Sequence, residues 1–334
     1  MKTPIAGIVR LDGGGSRVVI DPALGGKITS LLLGGREWLW TSGVLPRLPV
    51  GPAVAADDDA SYVRTADTGG YDECVPTVGA CRLPRDVPGH GGVALPDHGE
   101  LWSQHARSEV FDDDVTGIAA ITHWTGRRLP YDFTRTVRVD EDGEVLMDYA
   151  INNRGGTPLP FLWSSHPLLP LTADTRLDLP AGARVRVWAQ HGIDLGGAGA
   201  EHRWPLLQAD GASVDFSRPG DVRGRARGWA CKLFLDLPTH VPLVSLAVEQ
   251  DGSRLEVSVS PKHVTHFGLW LNHGGWTPFD GGTPYMNLAF EPCIGAPDQL
   301  DEALGAWQGA AWLRPGASRR WALEWRATTA PRHV

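Results

Sequence analysis

The stretch Leu243-Val244-Ser245-Leu246-Ala247-Val248-Glu249-Gln250-Asp251-Gly252-Ser253-Arg254-Leu255-Glu256-Val257-Ser258-Val259-Ser260 decides the fold class. Leu255, Val257 and Val259 alternate with Glu256, Ser258 and Ser260, the period of a strand with one buried face. The run from Leu243 to Glu249 precedes it, and Gln250-Asp251-Gly252-Ser253 joins the two. An Asp-Gly pair between such runs predicts a hairpin, because the tight turn needs positive φ at its centre.

The same logic extends outward. Phe133 to Val139, the turn Glu141-Asp142-Gly143, and Val145 to Ile151 predict a second hairpin. In Arg319–Arg326, Trp321, Leu323 and Trp325 take one face and Arg320, Glu324 and Arg326 the other, which is expected of a strand at a sheet edge or in an outer sheet. Helical signals are few. Pro297 to Leu304 predicts a short peripheral helix, with Asp298 and Asp301 in its first turns and Gly305 as its stop. Pro84–Pro96 and Gly192–Gly199 read as long surface loops, and the acidic runs Asp57-Asp58-Asp59 and Asp112-Asp113-Asp114 as solvated turns. The expectation is an all-β chain, a large antiparallel β-sandwich forming a single domain over residues 1–334.

Bulk properties narrow the function. With 42% hydrophobic and 21% charged residues the composition is that of a soluble globular protein. The formal net charge of −8 and the lack of a basic stripe argue against nucleic acid and anionic membranes as partners. No apolar run is long enough to span a bilayer, and the N-terminus lacks a cleavable signal pattern. Cys74, Cys81, Cys231 and Cys293 show no Cys-x-x-Cys spacing, so free thiols in a reducing, cytoplasmic setting are expected.

The chemistry-bearing residues stand beside Pro and Gly. His166 lies in Ser165-His166-Pro167 at the end of the apolar run Leu159 to Trp163, His98 in Asp97-His98-Gly99-Glu100, and Glu291 in Phe290-Glu291-Pro292. Two imidazoles and a carboxylate suffice to move protons near neutral pH without a cofactor or metal. By alternation Asn287, Ala289 and Glu291 share a strand face, which suggests a lined pocket. Arg135 falls on the apolar face of Phe133, Val137 and Val139, so it is paired, with Glu73 or Glu100, or it serves a ligand. Fourteen tryptophans offer faces for sugar rings, and Gly268–Trp276 sets Trp270 beside Asn272 and His273. His263 and His266 have i,i+3 spacing, which on a strand or loop does not aim both rings at one metal.

The ordered set Gly69-Gly70-Tyr71-Asp72-Glu73-Cys74-Val75-Pro76-Thr77, Pro96-Asp97-His98-Gly99-Glu100-Leu101-Trp102, Ser165-His166-Pro167 and Phe290-Glu291-Pro292, followed by Gly295-Ala296-Pro297-Asp298, resembles the aldose 1-epimerase or galactose mutarotase-like family. The resemblance implies a sugar cleft on the concave sheet of a β-sandwich. It implies His166 as general acid on the ring oxygen, His98 as a binding and polarising group, and Glu291 as the base at the anomeric hydroxyl. The sugar-contacting aspartate of the family is best matched by Asp236. Glu100 stands where many members carry Arg, which points away from a plain galactose enzyme towards a related aldose epimerase. The expected substrate-binding set is Arg135, Glu73, Glu100, Asp236, Trp163, Trp270 and Asn272. The expected partner is a small-molecule sugar, with a homodimer left open. Rival readings are a sugar-binding protein without turnover and a glycosidase or lyase pairing Glu73 or Glu100 with Glu291.

Overall fold

A computed structural model describes residues 2–5, 7–45, 48–50, 61–114, 116–221 and 228–329. The hairpin expected around Asp251 forms, with Val244–Gln250 pairing antiparallel to Ser253–Val259. Asp251 and Gly252 take φ of 49° and 71°, so both central residues of the turn are left-handed, as a type I′ turn requires. Tyr131–Val139 and Val145–Asn153 form the second hairpin.

Both hairpins belong to a nine-stranded sheet with the order Thr3–Ile5, Arg107–Asp113, Gly117–Thr125, Tyr131–Val139, Val145–Asn153, Ser318–Thr329, Ser253–Val259, Val244–Gln250 and Arg176–Asp178. The Ser318–Thr329 strand therefore lies in the middle of this sheet, bonded on both sides, and not at an edge or in an outer layer. Its alternation reports only that Trp321, Leu323 and Trp325 face the core, and a half-buried central strand shows the same pattern as an edge strand.

The second, thirteen-stranded sheet carries the site. Its central part runs Arg184–His191, Trp229–Asp236, His266–His273, Met286–Ile294, Trp163–Pro170, Tyr71–Cys74 and Lys27–Leu33, every neighbour antiparallel. The core lies between the sheets: Trp325 meets Tyr71 and Phe290 at ring distances of 6.0 and 6.4 Å, and Trp163 meets Tyr149 and Trp321 at 4.9 Å. The strands Trp163–Pro170, Trp229–Asp236 and Met286–Ile294 are buried on almost every residue. One of their faces packs on the core and the other floors a cleft, so they read as continuous apolar runs.

The helix expected over Pro297–Leu304 is confined to Leu300–Leu304, closed by the Gly305 N–H on the Asp301 carbonyl. Asp298 precedes it in a loop. The Pro84–Pro96 segment is not wholly a loop, since Cys81–Arg82 pairs with Ala94–Leu95. Asp113 departs from the solvated-turn expectation, because it ends a strand and accepts Arg138 Nε at 2.9 Å. Asp57-Asp58-Asp59 lies outside the described residues. Among the described residues no helix is long and apolar enough to cross a membrane.

Candidate active site

Strand parity sorts the side chains. On Trp163–Pro170 the residues His166 and Leu168 line the cleft, Ser164 on the same strand face reaches Glu291, and Trp163 projects to the core. Lys232 takes the cleft face of its strand and Trp270 that of the next, directly opposite it in register. Asn287 and Glu291 lie on the same face two pairs apart, as their alternation predicts. Gly268 stands opposite Glu291, and a Cβ there would sit 3.0 Å from Glu291 Oε2 and 3.4 Å from Lys232 Nζ. The missing side chain leaves room for the ion pair beneath the cleft.

The cleft holds about 300 Å³, at the small end for ligand sites. His98, His166, Lys232, Asp67 and Asp298 supply its charged and titratable walls, and Trp188, Trp270, Trp276, Tyr62 and Tyr285 its aromatic ones. The His98 and His166 rings lie 5.1 Å apart, edge to face. His166 Nε2 is 3.7 Å from Glu291 Oε1. The structure thus brings together His98, His166 and Glu291, which stand 68 and 125 positions apart along the chain.

His98 is held from several sides. Its Nδ1 meets Asp97 Oδ1 at 2.7 Å, its backbone N–H donates to the Val78 carbonyl at 2.6 Å, and Tyr62 stacks on the ring at 4.1 Å. Tyr62 is fixed in turn by its hydroxyl on Asp72 Oδ2 at 2.6 Å and by buried Lys27, which pairs with Asp72 and donates to the Gly69 carbonyl. The backbone is strained here: His98 has φ 57° and Gly99 φ 70°. A Cβ on Gly99 would lie 2.2 Å from the Val75 carbonyl oxygen. Gly99→Ala is therefore expected to cost about 1–3 kcal/mol, measured by urea unfolding. A midpoint equal to wild type would show that this turn is not held in its left-handed form.

Electrostatics separate the two imidazoles. Burial works to lower the His98 pKa, but the Asp97 carboxylate, helped by Asp67 and Asp298, overrides it and holds His98 above its ordinary value. Burial dominates at His166, pushing it down to about 4, so that it is neutral at pH 7. Glu291 would be raised by burial, yet Lys232 and His166 bring it below the ordinary carboxylate value. Lys232 Nζ lies 2.6 Å from each Glu291 oxygen and 3.4 Å from Asp298 Oδ1. Burial raises Asp298 to about 6.

Several sequence expectations need correction. Glu73, Arg135 and Trp163 do not line the cleft but form a polar knot in the core. Arg135 Nη1 meets Glu73 Oε1 at 3.1 Å, Trp163 Nε1 donates to Glu73 Oε2 at 2.9 Å, and Tyr149 adds a bond at 3.1 Å. Their parity is the reason: Asp72 and Ser164 share the strand face of His166, so Glu73 and Trp163 face the other way. Glu100 accepts the backbone N–H groups of Arg127 and Arg128 at 3.1 and 2.6 Å and caps a loop. Neither Glu73 nor Glu100 shares a space with Glu291, so the pairs weighed for a two-carboxylate glycosidase are not assembled. Asp236, at the far end of its strand, pairs with Arg184 Nε at 2.7 Å and lies 3.6 Å from His266 Nε2, outside the cleft lining.

Trp270 does line the cleft, edge-on to Trp276 at 5.7 Å. Asn272 acts at one remove: its Oδ1 accepts the Gly275 and Trp276 N–H groups at 3.1 Å and sets the loop that carries Trp276. Lys232, Asp67 and Tyr62 were missed. Lys232 had a signal, as the lone cation in Trp229-Ala230-Cys231-Lys232-Leu233-Phe234-Leu235, where a buried lysine must have a partner.

Neither a protein-family model nor a curated protein matches the chain by sequence. Solved structures do match over nearly the whole length. The Slr1438 protein from Synechocystis sp. PCC 6803 aligns with TM-score 0.64 at 18% identity, covering 98% of both chains. A protein from Escherichia coli K12, named as a candidate aldose 1-epimerase, gives 0.63 at 18%, covering 99% of this chain and 100% of its own. A galactose mutarotase related enzyme from Lactobacillus acidophilus gives 0.60 at 15%, covering 98% and 99%. The fold is that of the galactose mutarotase-like β-sandwiches.

Proposed function

We propose that the protein interconverts the α and β anomers of an aldose by acid/base ring opening and reclosure, in the manner of an aldose 1-epimerase. The observation that carries this reading is a pair of imidazoles 5.1 Å apart in one cleft of monosaccharide size, backed by carboxylates. Anomer exchange needs a proton given to the ring oxygen while one is taken from the anomeric hydroxyl, and nothing else. In this reading His98, whose pKa Asp97 holds above its ordinary value, delivers the proton, and neutral His166 hydrogen-bonds the same region of the ring. This reading exchanges the roles that the family resemblance implies for the two histidines. The carboxylates gathered around Lys232 supply the acceptor. Flat apolar C–H faces of the sugar suit Trp188, Trp270 and Trp276.

NMR exchange spectroscopy or polarimetry on a panel of aldoses tests the proposal. At least one aldose is expected to equilibrate faster with protein than with buffer, and His98→Asn to slow it by about 10²-fold. An uncatalysed rate across the panel would end the proposal.

One observation favours a second reading, a sugar-binding protein without turnover. Glu291 is fully buried, with both oxygens on Lys232, so the expected base is sealed from the cleft. Saturable sugar binding by calorimetry with no gain in exchange rate would select this alternative.

A further inference from the structure

We infer that Asp298, rather than Glu291, is the group that takes the proton from the anomeric hydroxyl, with Lys232 joining the two carboxylates in one row. The inference rests on the anomer-exchange reading and names a catalytic residue within it.

Position separates the two carboxylates. Glu291 is 0% exposed and does not line the cleft. Lys232 Nζ lies 2.6 Å from both of its oxygens, and Ser164 Oγ donates to Oε2 at 2.9 Å. Lys232, which does line the cleft, stands over Glu291. A sugar hydroxyl reaching that carboxylate would have to break the pair and leave an ammonium without its counter-ion, a cost of several kcal/mol.

Asp298 has the opposite situation. It lines the cleft, and its side chain keeps 16% of its surface exposed. Its backbone carbonyl accepts the Val78 and Gly79 N–H groups at 2.8 Å and Thr77 Oγ1 at 3.1 Å, which fixes the residue at the cleft wall. Asp298 Oδ1 is the inner oxygen: it is buried, makes no hydrogen bond among the described residues, and lies 3.4 Å from Lys232 Nζ. The exposed surface of the side chain therefore lies outside Oδ1, so the outer oxygen takes the proton while the ammonium steadies the charge on the inner one. Burial sets Asp298 near pH 6, where a general base is ionised at neutrality and still basic enough to work. Asp298 also acts on His98 through space, which puts the acceptor in the same field as the donor.

The step balances. Asp298 takes the O1 proton as O1–C1 becomes a carbonyl, the C1–O5 bond breaks with its electron pair passing to O5, and O5 takes the proton of the His98 imidazolium. Rotation about C1–C2 follows. Reclosure on the other face of the carbonyl returns both protons, with no oxidant or further reactant.

The test measures anomer-exchange kinetics from pH 5 to 8 on an aldose that the wild type turns over, comparing wild type, Asp298→Asn, Asp298→Glu and Glu291→Gln. Asp298→Asn is expected to lower kcat by at least about 10²-fold with KM changed by less than about threefold, because the lost interaction forms only as the proton moves. The acidic limb of the wild-type kcat/KM profile near pH 6 is expected to vanish in Asp298→Asn and to persist in Glu291→Gln. Asp298→Glu is expected to recover part of the rate. Unaltered turnover by Asp298→Asn, or loss of the limb in Glu291→Gln, would overturn the assignment while leaving anomer exchange intact. A wild type that accelerates no sugar at all would remove both. Should Asp298→Asn not fold, the limb in wild type against Glu291→Gln decides alone.

Discussion

Lys232→Met is expected to lower the unfolding free energy by about 3–5 kcal/mol, the usual cost of leaving one half of a buried ion pair. Lys232 is 4% exposed and Glu291 is 0% exposed, so the stranded carboxylate has no route to water. Its remaining neighbours, Ser164 at 2.9 Å and neutral His166 at 3.7 Å, cannot replace the ammonium. The pH dependence should reverse with the substitution. In the wild type Glu291 sits below its ordinary 4.5, so its contribution is present above that value and fades as pH falls through the folded pKa. Without Lys232, burial alone acts, the carboxyl moves above 4.5, and stability is instead greatest in acid and lost as pH rises. Urea unfolding at pH 4 and pH 8 should therefore show a small gap to wild type in acid and the full gap in base. The double variant Lys232→Met with Glu291→Gln should regain much of the loss. A single variant within about 1 kcal/mol of wild type at pH 8 would mean that the pair is not the buried contact described here.

A comparable loss, about 3–5 kcal/mol, is expected for Arg135→Met. Arg135 is 0% exposed, and besides Glu73 it donates through Nη2 to the Gly26 carbonyl at 2.6 Å. Burial raises Glu73 to about 7, against the lowering effects of Arg135, Trp163 and Tyr149. Because the folded value lies above the unfolded 4.5, the stability linked to Glu73 is fully present below 4.5 and is lost as pH climbs towards 7. Removing the guanidinium takes away the largest opposing influence, so the window extends to higher pH. The variant should approach wild type at pH 5 and fall furthest behind at pH 8, as measured by chemical denaturation. Equal gaps at both pH values would show that Glu73 does not titrate in the folded protein. Arg135→Met combined with Glu73→Gln should be milder than Arg135→Met alone.

The parts of this molecule written locally were legible in its sequence. Asp251-Gly252 announces its turn through two residues that tolerate positive φ, and Phe133–Val139 and Val145–Ile151 announce their pairing through alternation and a short Gly-containing turn. His98, His166 and Glu291 could be singled out as candidates because each is an ionisable group beside Pro or Gly, and the fold sets them side by side. What failed was information held between distant segments. The alternation in Arg319–Arg326 names a core face but says nothing of neighbours, and those neighbours are Val145–Asn153 and Ser253–Val259. Glu73 and Trp163 looked like site residues because each adjoins one in sequence, yet adjacency on a strand means opposite faces. In strands buried on both sides, hydrophobicity no longer reports which face is which. Lys232 was hidden in such a strand, and only the position of Glu291 across Gly268 explains its charge.

That division by parity gives the molecule two compartments, one an open cleft lined with titratable groups, the other a dry structural core, separated by the thickness of a single polypeptide. Trp163 and Ser164 are consecutive, and so are Asp72 and Glu73, but each pair straddles the wall. A one-codon deletion that slid Trp163–Pro170 against its partners would send the indole into the cleft and the imidazole into the oily interior. Substitutions can retune this chamber one side chain at a time, whereas an altered reading of the strand would trade its whole inventory for the other.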